Sequence, residues 1–123
     1  MELIHAKEAY ANTLIAKSKA RRVMFEDLAL CFNKYVNEAA ARAETAILLR
    51  WRDFDINEEL ATDEEALTEL LNNVMAVGYE AEFCYNSPSA YNPCGIVVAW
   101  GENAVDDIVD MFSKCAETIY RGE

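Results

Sequence analysis

The chain has 123 residues, an apolar fraction of 53% and a charged fraction of 27%, a composition typical of one globular domain. Its net charge of −11 argues against direct binding of nucleic acid or of an anionic membrane. No apolar run approaches the roughly 20 residues that span a bilayer, and the first ten residues lack the apolar region of a signal peptide. We therefore expect a single cytoplasmic domain over residues 1–123.

The charge is divided unevenly along the chain. Residues 1–52 carry nine Lys/Arg and six Asp/Glu, whereas residues 53–123 carry two Lys/Arg and sixteen Asp/Glu. The acidic part repels phosphate groups, while the first part can attract an anion or the acidic part of another copy. The acids also serve simply to keep a small protein dispersed in water.

Residues 3–42 predict one long helix. The segment contains no Gly or Pro and is rich in Ala, Leu, Lys, Arg and Glu, which favour helix. Apolar residues recur with a period close to 3.6 from Leu3, Tyr10 and Leu14 onward. Such a helix would be about 60 Å long, against a radius of gyration of about 14 Å for a compact domain of this size. Either it breaks near Ser18 or it packs on a second chain, and we expect homo-oligomerisation through it.

A basic segment interrupts the apolar stripe in the middle of this helix. Lys17 and Arg21 lie one turn apart, as do Ser18 and Arg22, so each pair shares a face. Cationic groups on adjacent turns can bind an anion through charged hydrogen bonds. The alternative is a solvated stretch without a ligand.

The next two elements are a strand and a helix. Alternation predicts a strand over residues 45–53, with Trp51 in the core and Arg50 and Arg52 on the other face. A Thr-Asp-Glu-Glu capping box then begins a helix over residues 63–77, which Gly78 ends.

A β-hairpin and a last helix complete the prediction. Residues 79–101 hold two β-type runs, and Asn103 can cap a helix over residues 103–120. The resulting order is helix, strand, helix, strand, strand, helix. We predict the α+β class, with a small, mostly antiparallel three-stranded sheet covered by helices.

The loop of this hairpin, within YNSPSAYNPCG at 85–95, holds both prolines of the chain. Proline stiffens the loop, and tyrosine and asparagine offer stacking faces and paired hydrogen-bonding groups. The alternative is an ordinary long hairpin loop whose tyrosines pack on the sheet. Together with the arginines, the loop suits a nucleotide-like anion. The candidate ligand-binding residues are Lys17, Arg21, Arg22, Arg50, Arg52, Tyr85, Asn86, Tyr91 and Asn92.

The sequence predicts no catalytic residue, metal site or cofactor. His5 is the only histidine, and neither of the common phosphate-binding glycine motifs is present. Asp106, Asp107 and Asp110 form a D-D-x-x-D pattern on the last helix, where acids are also favoured by the helix dipole. We therefore expect a binding protein and not an enzyme.

Four cysteines, Cys31, Cys84, Cys94 and Cys115, stand outside any C-x-x-C pair. Reduced, mostly buried thiols are expected in place of a zinc site. Cys84 and Cys94 flank the hairpin loop, so they can face each other across it.

Three short motifs resemble a loose group of small bacteriophage and prophage accessory proteins. They are HAKEA at 5–9 before a long charged helix, the Gly78–Tyr79 pair after a later helix, and VVAWG at 97–101 in the last strand. The resemblance covers roughly residues 4–101. This chain differs in Ala99, where the group has serine before the tryptophan, in its long hairpin loop and in the added last helix.

The resemblance implies a phage gene product acting in the host bacterial cytoplasm. Such proteins are mostly of unassigned function, so no site residue carries over, but small acidic phage proteins often antagonise host defence. One mechanism is an oligomeric sponge that sequesters a small anionic nucleotide signal. The alternatives are an acidic inhibitor that binds a host defence protein, as a nucleic-acid mimic or anti-CRISPR protein does, and a phage assembly protein. The basic segment and the loop favour the sponge.

Overall fold

The computed structural model of the protein describes residues 1–54 and 61–122. It confirms the α+β class, with four antiparallel strands where three were predicted. In chain order the elements are helix α1 (Ala6–Ala41), strand β1 (Ala46–Arg50), a 3₁₀ turn (Trp51–Phe54), helix α2 (Glu64–Ala76), strand β2 (Glu80–Tyr85), strand β3 (Gly95–Ala99), helix α3 (Ala104–Lys114) and strand β4 (Tyr120–Arg121).

Helix α1 is continuous through the basic segment, without a break at Ser18. It ends in a Schellman motif, in which the amide of Glu44 donates to the carbonyl of Ala39 and the amide of Ala43 donates to that of Ala40, each at 3.0 Å. Ala43 takes the left-handed conformation, with φ 63°, that glycine usually supplies at this position. The chain therefore turns sharply into β1.

Strand β1 is shorter than the predicted strand over 45–53, and the prediction that Arg50 and Arg52 share a strand face is wrong. The carboxylate of Asp53 accepts a hydrogen bond from the Arg50 amide at 3.1 Å, which draws the backbone into the 3₁₀ turn. Trp51 is buried as predicted, with 6% of its surface exposed. Its indole N–H donates to the Pro93 carbonyl at 2.8 Å, so the turn is joined to the end of the hairpin loop.

Helix α2 begins one residue later than the capping box predicted. The N-cap is Asp63, whose carboxylate accepts from the Ala66 amide at 3.1 Å. After the helix, Gly78 has a φ of 103°, a conformation that costs glycine little because it has no Cβ. The role predicted for Gly78 is confirmed.

The four strands lie in the order β1-β3-β2-β4, and every neighbouring pair is antiparallel. Strands β2 and β3 form the predicted hairpin around the loop 86–94. In the register of the sheet, Gly95 lies opposite Arg50 on one side and Cys84 on the other. This register places Arg50 and both loop-flanking cysteines at the same end of the sheet.

The last predicted helix, 103–120, is wrong in its second half. Helix α3 ends at Lys114, and the chain then returns to the sheet, where Tyr120 pairs with Tyr85 as part of β4. Val105 and Val109 of α3 are 62% and 41% exposed. Pairing with the edge of β2 satisfies more backbone groups than a frayed helix end would.

Helices cover both faces of the sheet. On one face, Ile96 and Val98 pack with residues of α1 and α2 such as Leu28 and Leu67. On the other face, the core of buried residues consists of Cys84, Val97, Ala99, Ile108, Phe112 and Ile119. All five residues of β3 are buried, so it is the central strand of a three-layer arrangement.

Among the described residues, no helix combines the length and the apolar composition that crossing a bilayer requires.

Substituting Gly95 by alanine should destabilise the sheet. A Cβ at this position would clash with the Leu49 carbonyl oxygen and lie 2.8 Å from the Cα of Arg50. Both are backbone atoms of β1, so no rotamer change relieves the contact, and we expect the free energy of unfolding to fall by about 1–3 kcal/mol. Urea denaturation followed by tryptophan fluorescence would measure the loss. Gly101→Ala is the control for the size of the loss. The atoms nearest to a Cβ at this position belong to the Thr45 side chain, at 3.0 Å, and a side chain can move, so this variant should lose less. Equal losses for the two variants would contradict this account.

Candidate functional site

The predicted ligand-binding residues are distributed over several parts of the fold. Lys17, Arg21 and Arg22 line a polar pocket between α1 and α2, and Tyr85, Tyr91 and Asn92 line a smaller hairpin pocket. The charges of Arg50 and Arg52 act on the thiol of Cys94. Asn86 is exposed and lines neither pocket.

The polar pocket has a volume of about 730 Å³ and carries charges of both signs. The basic segment of α1 forms one wall, and Glu65 and Glu69 of α2 stand in the other. Glu26 of α1 adds a third carboxylate. An anion entering this pocket would therefore meet repulsion as well as attraction.

Arg21 holds α1 against the start of α2. Its guanidinium donates to the carboxylate of Asp63 at 2.9 Å and lies 3.9 Å from that of Glu69. The pKa of Asp63 is held below its ordinary value, first by the hydrogen bond from the Ala66 amide and then by the charge of Arg21. Arg21 thus has a structural role that the spacing of basic residues did not reveal.

Lys17 and Arg22 are the cations of the polar pocket that remain open to a ligand. Both side chains are exposed, and neither forms an ion pair with any residue in 1–54 or 61–122. Ser18 lies between them on the helix surface and lines the same pocket. Lys17, Ser18 and Arg22 therefore have hydrogen-bond donors available for the anion that the sequence predicted at this segment.

The hairpin pocket, of about 320 Å³, lies between the loop 86–94 and α2. Tyr91 is 87% exposed, so its ring is available for stacking on a partner. Tyr85 is half-buried and packs close to Gly122 after β4. The loop therefore presents Tyr91 and Asn92, while Tyr85 belongs to the sheet.

The two pockets lie on different faces of α2. Glu64 and Thr68 line the hairpin pocket, whereas Glu65 and Glu69 line the polar pocket. Successive helix residues are turned by about 100°, so the pockets open in different directions. Within one chain, the loop and the basic segment do not form one binding site.

Cys84 and Cys94 face each other as the sequence suggested, with their sulfurs 3.8 Å apart. The pKa of Cys94 is lowered to about 7, first by a hydrogen bond from the Cys84 thiol and also by the charges of Arg50 and Arg52, against the effect of burial. The same contact, together with burial, raises the pKa of Cys84. Cys94 therefore carries the thiolate of the pair.

An apolar groove of about 460 Å³ adjoins the polar pocket, and it was not predicted from the sequence. Phe25, which lines both, connects them, and Phe32 and Tyr79 form the far wall. The rings of Phe32 and Tyr79 meet edge to face, with centroids 5.1 Å apart. Phe25 and Phe32 are partly buried, so each is covered on one side by the core and borders the groove on the other.

In the described part of the chain, no three His, Cys, Asp or Glu side chains lie close enough together to hold a metal ion. Asp107 of the D-D-x-x-D pattern accepts a hydrogen bond from the Thr45 hydroxyl at 2.9 Å.

Comparisons with protein-family models, with curated proteins and with solved structures gave no match for this chain.

Removing the Asp63 carboxylate should weaken the junction of α1 and α2 in a pH-dependent way. A carboxyl whose pKa is lowered on folding stabilises the protein above its unfolded pKa of about 3.9, and this stabilisation is lost as the pH falls through the folded pKa. We expect Asp63→Ala to lower the free energy of unfolding by about 0.5–2 kcal/mol at neutral pH, because it removes the N-cap. The difference from wild type should shrink below about pH 4.

Urea denaturation at neutral pH and at about pH 3 checks this expectation. Arg21→Met is the matched control, because it removes the ion pair and keeps the cap. A pair this exposed contributes about 0–1 kcal/mol, so the control should lose less than Asp63→Ala. A pH-independent loss in Asp63→Ala would contradict the assignment.

Proposed function

We propose that this protein is a non-enzymatic binding protein that acts as a homo-oligomer assembled through the first half of α1. The observation that carries the proposal is that every residue from 1 to 20 is exposed, although α1 begins at Ala6. Fifteen helical residues correspond to about 22 Å of helix whose side chains stay exposed, with Leu14, Lys17 and Ser18 bordering the polar pocket that faces α2. A helix of this length gains stability by packing its apolar stripe on a partner.

The exposed half of α1 carries such a stripe. Tyr10, Leu14 and Ile15 are 66%, 48% and 60% exposed. Leu14 stands two heptads before the buried Leu28, so the stripe continues the face that α2 and the sheet cover further along. The same kind of surface is covered within the chain at one end of α1 and uncovered at the other.

Charge complementarity favours a second copy as the partner. Residues 6–22 carry five basic and one acidic side chain, whereas residues 61–122 carry eleven acidic and two basic ones. The basic half-helix of one copy can therefore lie along an acidic surface of another. Such a contact would bury the apolar stripe and would also bring the opposite charges of the two copies together.

Leu14→Glu should shift the oligomer towards the monomer without unfolding it. The leucine is half-exposed in the single chain, where it borders the polar pocket, so its loss should affect the interface more than the fold. Losing a buried leucine costs about 1.5–3 kcal/mol, so dissociation should increase about tenfold or more. Sedimentation velocity over a range of protein concentrations measures the change.

Ala16→Glu is the matched control for that experiment. It makes the same change of charge on the opposite side of α1, about 100° or more from Tyr10, Leu14 and Ile15, and should leave the oligomer intact. A wild-type protein that is monomeric at micromolar concentration would refute self-association. Equal effects of the two variants would refute the stripe as the contact.

A second candidate function is the binding of a small anionic, nucleotide-like ligand at the polar pocket. It is supported by Lys17, Ser18 and Arg22, which line one pocket; Lys17 and Arg22 form no ion pair with any described residue. Oligomerisation would bring a second basic segment, or the Tyr91 loop of another copy, towards this pocket. In a phage-infected host cytoplasm such a protein would act as a sponge for a defence signal.

Arg22→Glu should weaken the binding of a cyclic dinucleotide, used as the probe in calorimetry. A hydrogen bond to a charged group contributes about 1.5–3 kcal/mol, so affinity should fall about tenfold or more. Lys19→Glu makes the same charge change on α1 outside the pocket and should have a smaller effect. Equal losses of affinity for both variants would mean that the probe is attracted by the net charge of α1 and not bound at the pocket. If the wild type did not bind, cyclic dinucleotides would be excluded as ligands.

The alternative of an acidic inhibitor that binds a host defence protein receives less support. The acids of α2, such as Glu64 and Glu69, and those of α3, such as Asp106 and Asp110, belong to helices on opposite faces of the sheet. A nucleic-acid mimic needs its carboxylates along one continuous surface.

A further inference from the structure

Two thiols are held together at the loop end of the β2–β3 hairpin. The sulfurs of Cys84 and Cys94 are 3.8 Å apart, and the Cys94 amide donates to the Cys84 carbonyl at 2.8 Å. A disulfide has a sulfur–sulfur distance of about 2.05 Å, so side-chain movements totalling less than about 2 Å join them. The hairpin has already brought the two backbones together, which removes most of the entropic cost of pairing.

The two thiols differ in their access to solvent. Cys84 is completely buried between the sheet and α3, whereas Cys94 is half-buried and reaches the surface. Arg50 and Arg52 also make the surroundings of Cys94 electropositive, which favours its thiolate. Of the two thiols, a reagent in solution can therefore reach Cys94 directly, whereas Cys84 is within reach of Cys94 but not of the reagent.

We propose that Cys94 and Cys84 form a reversible thiol–disulfide pair, with Cys94 as the attacking group, Cys84 as the resolving group and a small-molecule disulfide as the oxidant. This redox site is independent of self-association and of ligand binding at the polar pocket.

The exchange proceeds in two balanced steps. The Cys94 thiolate attacks one sulfur of the oxidant, whose sulfur–sulfur bond breaks, and one small thiolate leaves while a mixed disulfide forms on Cys94. Cys84 then releases its proton to solvent and attacks the Cys94 sulfur, and the second small thiolate leaves. The protein loses two hydrogen atoms in total, and the oxidant is reduced to two thiols.

The local structure assists the second step. In the reduced pair, the contact with Cys94 is the largest cause that raises the pKa of Cys84. Once Cys94 has become a mixed disulfide, its sulfur carries no negative charge and that cause is removed. Cys84 can then ionise more readily at the distance from which it attacks.

Closing this bond would cross-link the base of the loop 86–94. Trp51 already holds one side of that base, since its indole donates to the Pro93 carbonyl and its amide donates to the Cys94 carbonyl at 2.9 Å. Oxidation would add a covalent tie to the end of β2. The loop that presents Tyr91 would therefore change in stiffness with the redox state.

The test uses the full chain and oxidised glutathione as the probe. Samples are quenched with acid over time, alkylated and analysed by intact mass and peptide mapping. Wild type and the Cys31→Ser/Cys115→Ser double variant should each form a Cys84–Cys94 link. Cys84→Ser should stop at the mixed disulfide on Cys94, and Cys94→Ser should form no link.

The order of events in the wild type keeps the test independent of whether a cysteine variant folds. The first glutathione adduct should appear on Cys94, about tenfold or more faster than on Cys31 or Cys115. A first adduct on another cysteine would overturn the proposal, and so would a fully oxidised protein without the Cys84–Cys94 link. Reduction with excess dithiol should restore all four thiols, and failure to do so would refute reversibility.

Discussion

The burial of β3 on both faces is the constraint on which the rest of the structure depends. Ile96 and Val98 point towards α1 and α2, while Val97 and Ala99 point towards α3, and each is at most 1% exposed. A strand of this kind offers no polar side chain to either layer, so it must lie in the middle of the sheet with a partner on each edge. Gly95 at its start allows the backbone of β1 to approach closely. The two cores and the order of the strands follow from this one segment.

The same register explains why the chemistry gathers at one end of the sheet. Gly95 pairs with Arg50 on one side and with Cys84 on the other, and Cys94 is the residue just before β3 begins. Because glycine places no side chain between them, a cation, a buried thiol and a half-buried thiol share one corner of the fold. Trp51 closes that corner by hydrogen bonding to the end of the loop. The facing of the two thiols is thus a consequence of the packing of the central strand.

Helix α1 has two halves that differ in exposure, and the Arg21–Asp63 ion pair marks the boundary between them. Beyond it, residues such as Leu28 and Val36 are buried against α2 and the sheet. Before it, the stripe with Tyr10 and Leu14 is half-exposed or more. Arg21, which the sequence spacing assigned to a ligand, also forms the ion pair that joins α1 to the start of α2. The exposed half, and not the basic segment alone, is the strongest indication of how this protein functions.

The sequence by itself determined the features that depend on local periodicity and on single special residues. These were the long helix α1, the hairpin, the glycine that ends α2, the burial of Trp51 and the facing cysteines, because each follows from neighbours a few residues apart or from the two ends of one turn. Tertiary structure helped to decide where β1 ends, since Trp51 donates from its indole and its amide to the distant carbonyls of Pro93 and Cys94, beside the local hydrogen bond between Arg50 and Asp53. It also decided that the chain after α3 returns as β4, because the open edge of β2 offers backbone partners. Finally, it decided that the basic segment and the tyrosine loop line different faces of α2, since sequence spacing cannot report directions between elements that pack at long range.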